Sequence, residues 1–190
     1  GEENKGLMYM FHMMNEARIL VGTGAALTAL TGFQYSLDYA KDRPQGRLLS
    51  CKNPESPPVN IIEHPDVRLN LLNMKARVEA IRALIYAVHE IEDRRLATDD
   101  ESERKECADL VEIFTPMCKG WGAEVGIDVV RMGIQVMGGV GYTQDFPLEQ
   151  YYRDIRVVAI YEGTTGIQAL DLISRKLARD NGTMLEDCYD

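Results

Sequence analysis

Long hydrophobic runs, paired cysteines and clusters of metal ligands are missing from this sequence of 190 residues. No stretch approaches the roughly 18 consecutive apolar residues that a membrane-spanning helix needs, so we expect no membrane span. The four cysteines form no CxxC pair, and with the three histidines they show no zinc-binding spacing. These absences predict reduced thiols, no metal site and a cytoplasmic location.

Positive charge and aromatic residues are also scarce. Lysine and arginine number 21 against 30 acidic residues, a net charge of −9. Nucleic acid is therefore not an expected partner, because its phosphates would be repelled. Aromatic residues make up 7% while methionines number nine, which favours a helical interior over a β-sandwich. No segment of useful length alternates with the period of a strand, and the sequence predicts an all-α fold.

Apolar residues at helical spacing predict a first long helix from Leu7 to about Asp42. A proline-rich loop follows as far as Ile62, and a second helix begins at Pro65. The apolar residues of this second helix alternate in steps of four and three, the pattern of a bundle seam. Its predicted core positions are Val67, Leu71, Met74, Val78, Ile81 and Ile85.

The second half of the chain predicts one more long helix and two short ones. A charged run from Glu92 to Glu106 indicates a solvated turn, and the third helix then continues to Gly138, with a kink expected at Pro116. The short helices are expected from about Pro147 to Ile160 and from Thr164 to about Arg179. Together these elements predict an up-and-down four-helix bundle with additional short helices.

One acid stands between an apolar pair and a turn that opens a helix. Glu162 follows Ile160 and Tyr161 and precedes Gly163 and Thr164. Partial loss of hydration would make this carboxylate a better proton acceptor, and Thr164 as N-cap would leave backbone N–H groups pointing into the same space. On spacing alone, a simple interaction of Glu162 with the helix dipole is an equally good explanation.

Arg18 interrupts the apolar stripe of the first helix, four residues after Met14 and three before Val21. An arginine on an apolar face needs an anionic partner, which is either a ligand or an acid of a neighbouring helix. The small residues from Gly22 to Ala29 include two glycines, which lower helix propensity, and this stretch predicts close approach of another chain or of a ligand.

Three motifs occur in a specific order: the glycine-rich run Gln135–Thr143, the pair Arg153-Asp154, and the turn Tyr161–Thr164. Together they resemble the C-terminal domain of the acyl-CoA dehydrogenases, and the similarity extends over nearly the whole chain. The resemblance implies that residues 1–190 form one helical-bundle domain of a longer protein, whose N-terminal helical domain and middle β-domain are not part of this sequence.

Members of that family oxidise an acyl-CoA to its trans-2-enoyl-CoA. A carboxylate removes the α-proton while a β-hydride passes to FAD. The resemblance implies that Glu162 is the base and that its backbone N–H donates to the thioester carbonyl. It also assigns Asn15 and Arg18 to the segment that meets the CoA arm, and Tyr161 and Gly163 to the substrate site.

The resemblance further implies two sets of FAD contacts. Thr164 and Gln168 match positions beside the isoalloxazine and the adenylate; the simpler alternatives are a helix cap for Thr164 and a solvent-facing side chain for Gln168. The positions that match contacts to the FAD of a partner subunit are Arg43, Gln135, Gly138 and Gly139.

Two departures from the usual family pattern, Pro44-Gln45-Gly46 and His64-Pro65, resemble a larger branch that includes methylthiopropionyl-CoA dehydrogenases. The implied partners are an acyl-CoA, an electron acceptor such as an electron-transferring flavoprotein, and further copies of the chain. Open alternatives are an acyl-CoA oxidase, a flavin-binding protein without dehydrogenase activity, and an oligomerisation domain. The chain by itself is expected to be inactive.

Overall fold

A computed structural model describes residues 1–178, the side chain at position 12 excepted. The long helices are α1 (Gly6–Asp42), α2 (Pro65–Ala97) and α3 (Glu101–Met137), and the short ones are α4 (Leu148–Val158) and α5 (Thr165–Leu170). A π-helix, Asp171–Leu177, continues α5, and 3₁₀ turns occupy Ile61–Glu63 and Gly138–Tyr142. No strand occurs in the described residues, and the predicted all-α fold is confirmed. The predicted end of the last helix near Arg179 lies outside the described residues.

The three long helices pack against one another, α4 packs on α1 and α3, and α5 packs on α3. Pro65 occupies the first turn of α2, where its missing N–H costs no hydrogen bond. Five of the six predicted core residues of α2 are buried, and Val67 is half-buried against the same apolar cluster. The seam predicted from the sequence is confirmed, since its side chains face α1 and α3.

The predicted turn over Glu92–Glu106 is much too long. Only Thr98–Asp100 lie between α2 and α3, and Asp100 caps α3 by accepting a hydrogen bond from the Ser102 amide at 2.8 Å. The charged residues lie on helices, where opposite charges three residues apart form pairs such as Glu92 with Arg95, 2.7 Å apart. A charged run suits an exposed helix as well as a turn when its charges alternate at this spacing.

The third helix runs through Pro116 without interruption, so the expected kink does not divide it. Pro116 is buried, and the adjacent Thr115 donates its hydroxyl to the carbonyl of Val111 at 2.7 Å. A proline removes one helical hydrogen bond, and packing on both sides keeps the rest of the helix in place.

Most of the small residues of α1 pack inside the chain, and Gly22 lies against α3, whereas Gly24 is exposed with no atom within 4 Å of its Cβ position. A Cβ atom on Gly22 would lie 2.6 Å from the carbonyl oxygen of Cys118, and Ala25, Ala26 and Ala29 are buried. Gly22 therefore permits a very close approach of the two helices. This approach brings the N-terminal third of α1, with Arg18, next to the middle of α3.

Candidate active site

Residues 161–164, here called the Glu162 turn, connect the end of α4 to α5. Glu162 and Gly163 both have positive φ angles, 55° and 93°. A left-handed non-glycine residue costs on the order of 1–3 kcal/mol and persists only where its surroundings hold it. At Gly163 a Cβ would lie 2.6 Å from Nε2 of Gln168, so this position requires glycine on both conformational and steric grounds.

Three side chains from three helices hold the two carbonyl groups of this turn. The Glu162 carbonyl accepts from Nε of Arg18 at 3.4 Å and from Nε2 of Gln168 at 3.2 Å. The Gly163 carbonyl accepts from Nε2 of Gln168 at 3.3 Å and from Nζ of Lys119. Side chains of the surrounding helices thus fix the turn through its backbone carbonyl groups.

Arg18 pairs with a buried acid of the same chain, and this acid is the anionic partner that its place in the apolar stripe of α1 requires. Its Nη1 lies 3.1 Å from Oδ2 of Asp171 and 3.4 Å from Oδ1 of Asn15. The internal ion pair that the sequence left open is therefore present, and the same arginine also contacts the Glu162 turn. The structure thus brings the predicted residues Asn15, Arg18 and Glu162 together.

Sequence reasoning missed Asp171 and Lys119. Asp171 opens the π-helix, whose wider turn shifts side chains away from the register that a 3.6-residue period predicts. Lys119 is fully buried on α3, between Cys118 and Gly120. The sequence could have indicated Lys119, because a lysine among apolar and small residues on one helix face is as unusual as Arg18 is on α1.

The charges around Lys119 act on it in opposite directions. Burial and then the positive charge of Arg18 lower the pKa of the Lys119 ammonium, whereas Glu162 and Glu124 favour its charged form. Glu124 also accepts a hydrogen bond from the hydroxyl of Thr165 at 2.7 Å, which ties the start of α5 to α3.

Glu162 differs in exposure from the two residues that precede it. Ile160 and Tyr161 are 53% and 43% exposed, while Glu162 itself is partly buried. Within residues 1–178, Glu162 thus loses part of its contact with solvent. Over the same range, the backbone N–H groups of Glu162, Gly163 and Thr164 donate to no acceptor of the chain. A carboxylate and three amide donors thus share one short turn.

Thr164 and Gln168 both serve the local structure. Thr164 caps α5, its hydroxyl accepting from the Ile167 amide at 3.4 Å, as the simpler alternative expects. Gln168 is 1% exposed, so the solvent-facing alternative is wrong. Within the described residues its Oε1 has no hydrogen-bond partner, which leaves one buried acceptor at the base of the turn.

The other four predicted cofactor positions lie at the opposite end of α1. Arg43 follows Arg18 by 25 residues, a rise of about 37 Å along a helix. Gly138, at a positive φ of 65°, lines a cavity of about 340 Å³ together with Gln45, Gly46, His64 and Ile61. The Arg43 carbonyl adjoins this cavity by accepting from the Ile61 amide at 2.8 Å.

Gln135 and Gly139 flank Gly138 along the chain and are exposed. The four predicted positions around Arg43 and Gly138 therefore lie at one end of the bundle. Thr164 and Gln168 lie at the Glu162 turn, far from that end.

Tyr161 lies on a third surface, between α1 and α4. It lines a cavity of about 300 Å³ whose walls include Leu20, Val21, Gly24 and Val158. The walls of this cavity are largely apolar, and one of its lining residues, Tyr161, directly precedes Glu162 in the sequence.

No helix in residues 1–178 combines the length and apolar character needed to cross a membrane. In the same part of the chain, histidine, cysteine and acidic residues form no group of three able to hold a metal ion.

Residues 4–177 match the family model described as acyl-CoA dehydrogenase, C-terminal domain. The chain is 42% identical over 182 residues to the 3-methylmercaptopropionyl-CoA dehydrogenase of Ruegeria pomeroyi, covering 96% of this chain and 30% of the relative. It is 38% identical over 187 residues to the broad-specificity linear acyl-CoA dehydrogenase FadE5 of Mycobacterium tuberculosis, covering 97% and 31%. The predicted likeness to the methylthiopropionyl-CoA branch is confirmed.

A crystal structure of acyl-CoA dehydrogenase from Geobacillus kaustophilus shares the fold, with a TM-score of 0.73 at 24% identity, over 92% of this chain and 40% of that one. The chain thus spans about a third of the length of the two curated relatives.

Proposed function

The chain belongs to the acyl-CoA dehydrogenase family of flavoprotein oxidoreductases, and we propose that it is the domain that supplies the base of an FAD-dependent acyl-CoA dehydrogenase. Glu162 takes the α-proton of an acyl-CoA, and the product is the trans-2-enoyl-CoA. One observation carries this proposal: a carboxylate and unpaired amide donors lie in a strained turn that three buried side chains hold.

The chemistry needs both parts of the turn. A proton next to a thioester is only weakly acidic, so its removal requires a positioned base and hydrogen bonds to the carbonyl oxygen that gains charge. The Glu162 carboxylate provides the base, and the Glu162 amide is a donor for the oxygen. FAD, when bound, supplies the acceptor for the β-hydride.

The residues proposed to hold FAD fit two cofactor molecules better than one. The Glu162 turn with Thr164 and Gln168 lies roughly 37 Å along α1 from Arg43. Gln135, Gly138 and Gly139 lie at the Arg43 end. We therefore assign Thr164 and Gln168 to the cofactor of their own subunit and the second group to the cofactor of a partner subunit, which makes the enzyme a homo-oligomer.

The substrate is assigned by the surfaces around the turn. The cavity beside Tyr161, with Leu20 and Val21 in its walls, suits an apolar acyl chain. Asn15 and Arg18, together with Gly163, define the side towards the CoA arm. Electrons pass on to an acceptor such as an electron-transferring flavoprotein, in the cytoplasm.

The test is Glu162→Gln in the full-length enzyme, because glutamine keeps the shape of the side chain and loses the base. Stopped-flow measurement of flavin reduction by acyl-CoA should show a loss of about 10³-fold, while the flavin stays bound. Glu90→Gln, which changes an exposed acid of α2 outside the segment assigned to the CoA arm, is the matched control and should reduce its flavin normally. Reduction by Glu162→Gln within a few-fold of the wild type would reassign the base.

A second assay separates the dehydrogenase from an acyl-CoA oxidase. A dehydrogenase reduces an artificial electron-accepting dye under anaerobic conditions and releases little peroxide in air. Rapid, stoichiometric peroxide release would instead favour the oxidase.

A further inference from the structure

We propose that Lys119 is a positioning residue of this site: its buried ammonium holds the Gly163 carbonyl and so keeps the Glu162 turn in its left-handed conformation. The inference rests on the proposed function for its effect on catalysis. The contact itself rests on the geometry of the turn alone.

The environment of Lys119 differs from that of an ordinary lysine. Its side chain is fully buried, its Nζ donates to the Gly163 carbonyl, and within residues 1–178 it makes no ion pair. Burying an ammonium without a paired carboxylate is costly, and a neutral donor would satisfy a carbonyl oxygen at lower cost. The charge therefore needs a further explanation.

The charged groups that face Lys119 supply that explanation. They are Arg18 on α1, Glu162 in the turn and Glu124 on α3, and Arg18 is itself neutralised by Asp171 of the π-helix. Glu162 and Glu124 therefore offset part of the cost of burying the Lys119 ammonium, whose hydrogen bond to the Gly163 carbonyl fixes the turn that carries Glu162. Lys119 thus acts on the geometry of the base.

The strain in the turn makes this support necessary. A positive φ angle at Glu162 is held only when surrounding groups determine the conformation, whereas Gly163 adopts its positive φ angle without steric cost. Arg18 and Gln168 hold the first carbonyl, whereas Lys119 and Gln168 hold the second. Without Lys119 the Gly163 carbonyl keeps a single side-chain donor, at 3.3 Å.

The experiment compares Lys119→Met with the wild type in the full-length holoenzyme. Methionine keeps the length of the side chain and removes both the donor and the charge. Flavin reduction at saturating acyl-CoA should fall on the order of 10²-fold, the effect of a misplaced catalytic group, with KM nearly unchanged. Lys119→Arg, which restores a cation and donors, should recover part of the lost rate.

A second readout does not depend on activity. The amides of Tyr161, Thr165 and Gln168 are hydrogen bonded on either side of the turn, and their hydrogen exchange should be faster in Lys119→Met. Cys118→Ala is the matched control: it alters the neighbouring buried side chain, which faces the apolar cluster of Ile19 and Ile81, and should leave this exchange unchanged.

Each outcome bears on the proposal. Wild-type rate and wild-type exchange in Lys119→Met overturn it, and so does an equal change of exchange in Cys118→Ala, since that result indicates only general loosening. If Lys119→Met does not fold, Lys119→Leu takes its place, and a wild-type rate with wild-type exchange in that variant overturns the proposal. If the wild-type enzyme fails to reduce flavin with any acyl-CoA while exchange rises in Lys119→Met, the proposed function is wrong and the positioning of the turn stands.

Discussion

Nη1 of Arg18 and Oδ2 of Asp171 lie 3.1 Å apart, and their side chains are only 6% and 8% exposed. This ion pair joins the first helix to the π-helix across 153 residues of sequence. Because Nε of the same guanidinium reaches the Glu162 carbonyl, the pair connects the stability of the bundle to the shape of the candidate active site.

Loss of Asp171 should be strongly destabilising. Asp171→Ala leaves the Arg18 charge buried without its partner, and we expect a fall of about 3–5 kcal/mol in the free energy of unfolding. Urea denaturation of the 190-residue chain measures it. Asp128→Ala, which removes the half-exposed partner of Arg77, should cost only about 0–1 kcal/mol. Equal, small costs for the two variants would show that the buried pair contributes little.

Gly163→Ala should destabilise the chain and impair the site. The added Cβ would meet Gln168 at 2.6 Å, and alanine at a φ of 93° is strained by about 1–2 kcal/mol. Gly166→Ala is the control, because its Cβ meets nothing within 4 Å and alanine is favoured inside α5 by about 0.5–1 kcal/mol. Thermal unfolding should therefore move in opposite directions for the two variants. A stable Gly163→Ala would contradict the described turn.

Cys118 should make stability fall at alkaline pH. Burial raises the pKa of the Cys118 thiol to about 12, from an ordinary value of 9.0. Above pH 9 the unfolded chain loses this proton while the folded chain keeps it, so the free energy of unfolding should drop by about 1.4 kcal/mol per pH unit until about pH 12.

The measurement for Cys118 is urea denaturation of the wild type and of Cys118→Ala at pH 8 and pH 10. The difference in stability between the two proteins should shrink as the pH rises. Cys51→Ala, which removes an exposed thiol, should not show this change. A difference that stays constant with pH for Cys118→Ala would mean that the thiol ionises equally in both states.

The 190-residue chain alone should bind FAD weakly or not at all and should have no dehydrogenase activity. The family resemblance implies that much of the flavin surface is covered by a middle β-domain, and each loss of about 1.4 kcal/mol lowers the affinity tenfold. Purified protein should therefore show no flavin absorption bands. A yellow protein with stoichiometric FAD that is bleached by acyl-CoA would show that this chain holds a complete site.

The chain should also self-associate. Exposed apolar residues of α1 outside the cavity beside Tyr161 are the candidates for an interface: Met13 and Leu27, fourteen residues apart, are 65% and 53% exposed. Light scattering at tens of micromolar, on the order of common interface affinities, should show a dimer or a larger assembly. A strict monomer would contradict the assignment of Arg43 and Gly138 to a partner's cofactor.

The sequence by itself determined the helices and the location of the candidate base. The four-three seam of α2 depends on the apolar or polar character of each residue, and it predicted the buried side chains correctly because a helix keeps that order in space. The Glu162 turn was equally visible, because glycine and threonine have local conformational effects. Charge spacing was less decisive, and the turn between α2 and α3 was predicted several times too long.

Only the tertiary structure decided which distant groups hold that turn. Arg18, Lys119 and Asp171 come from three helices separated by up to 153 residues, and no local pattern states which buried charge meets which carbonyl. The π-helix moved Asp171 out of the expected helical register. The close approach at Gly22 set the distance between α1 and α3. Such contacts depend on packing between helices, whereas a residue's tendency to form a helix depends mainly on its neighbours in the chain.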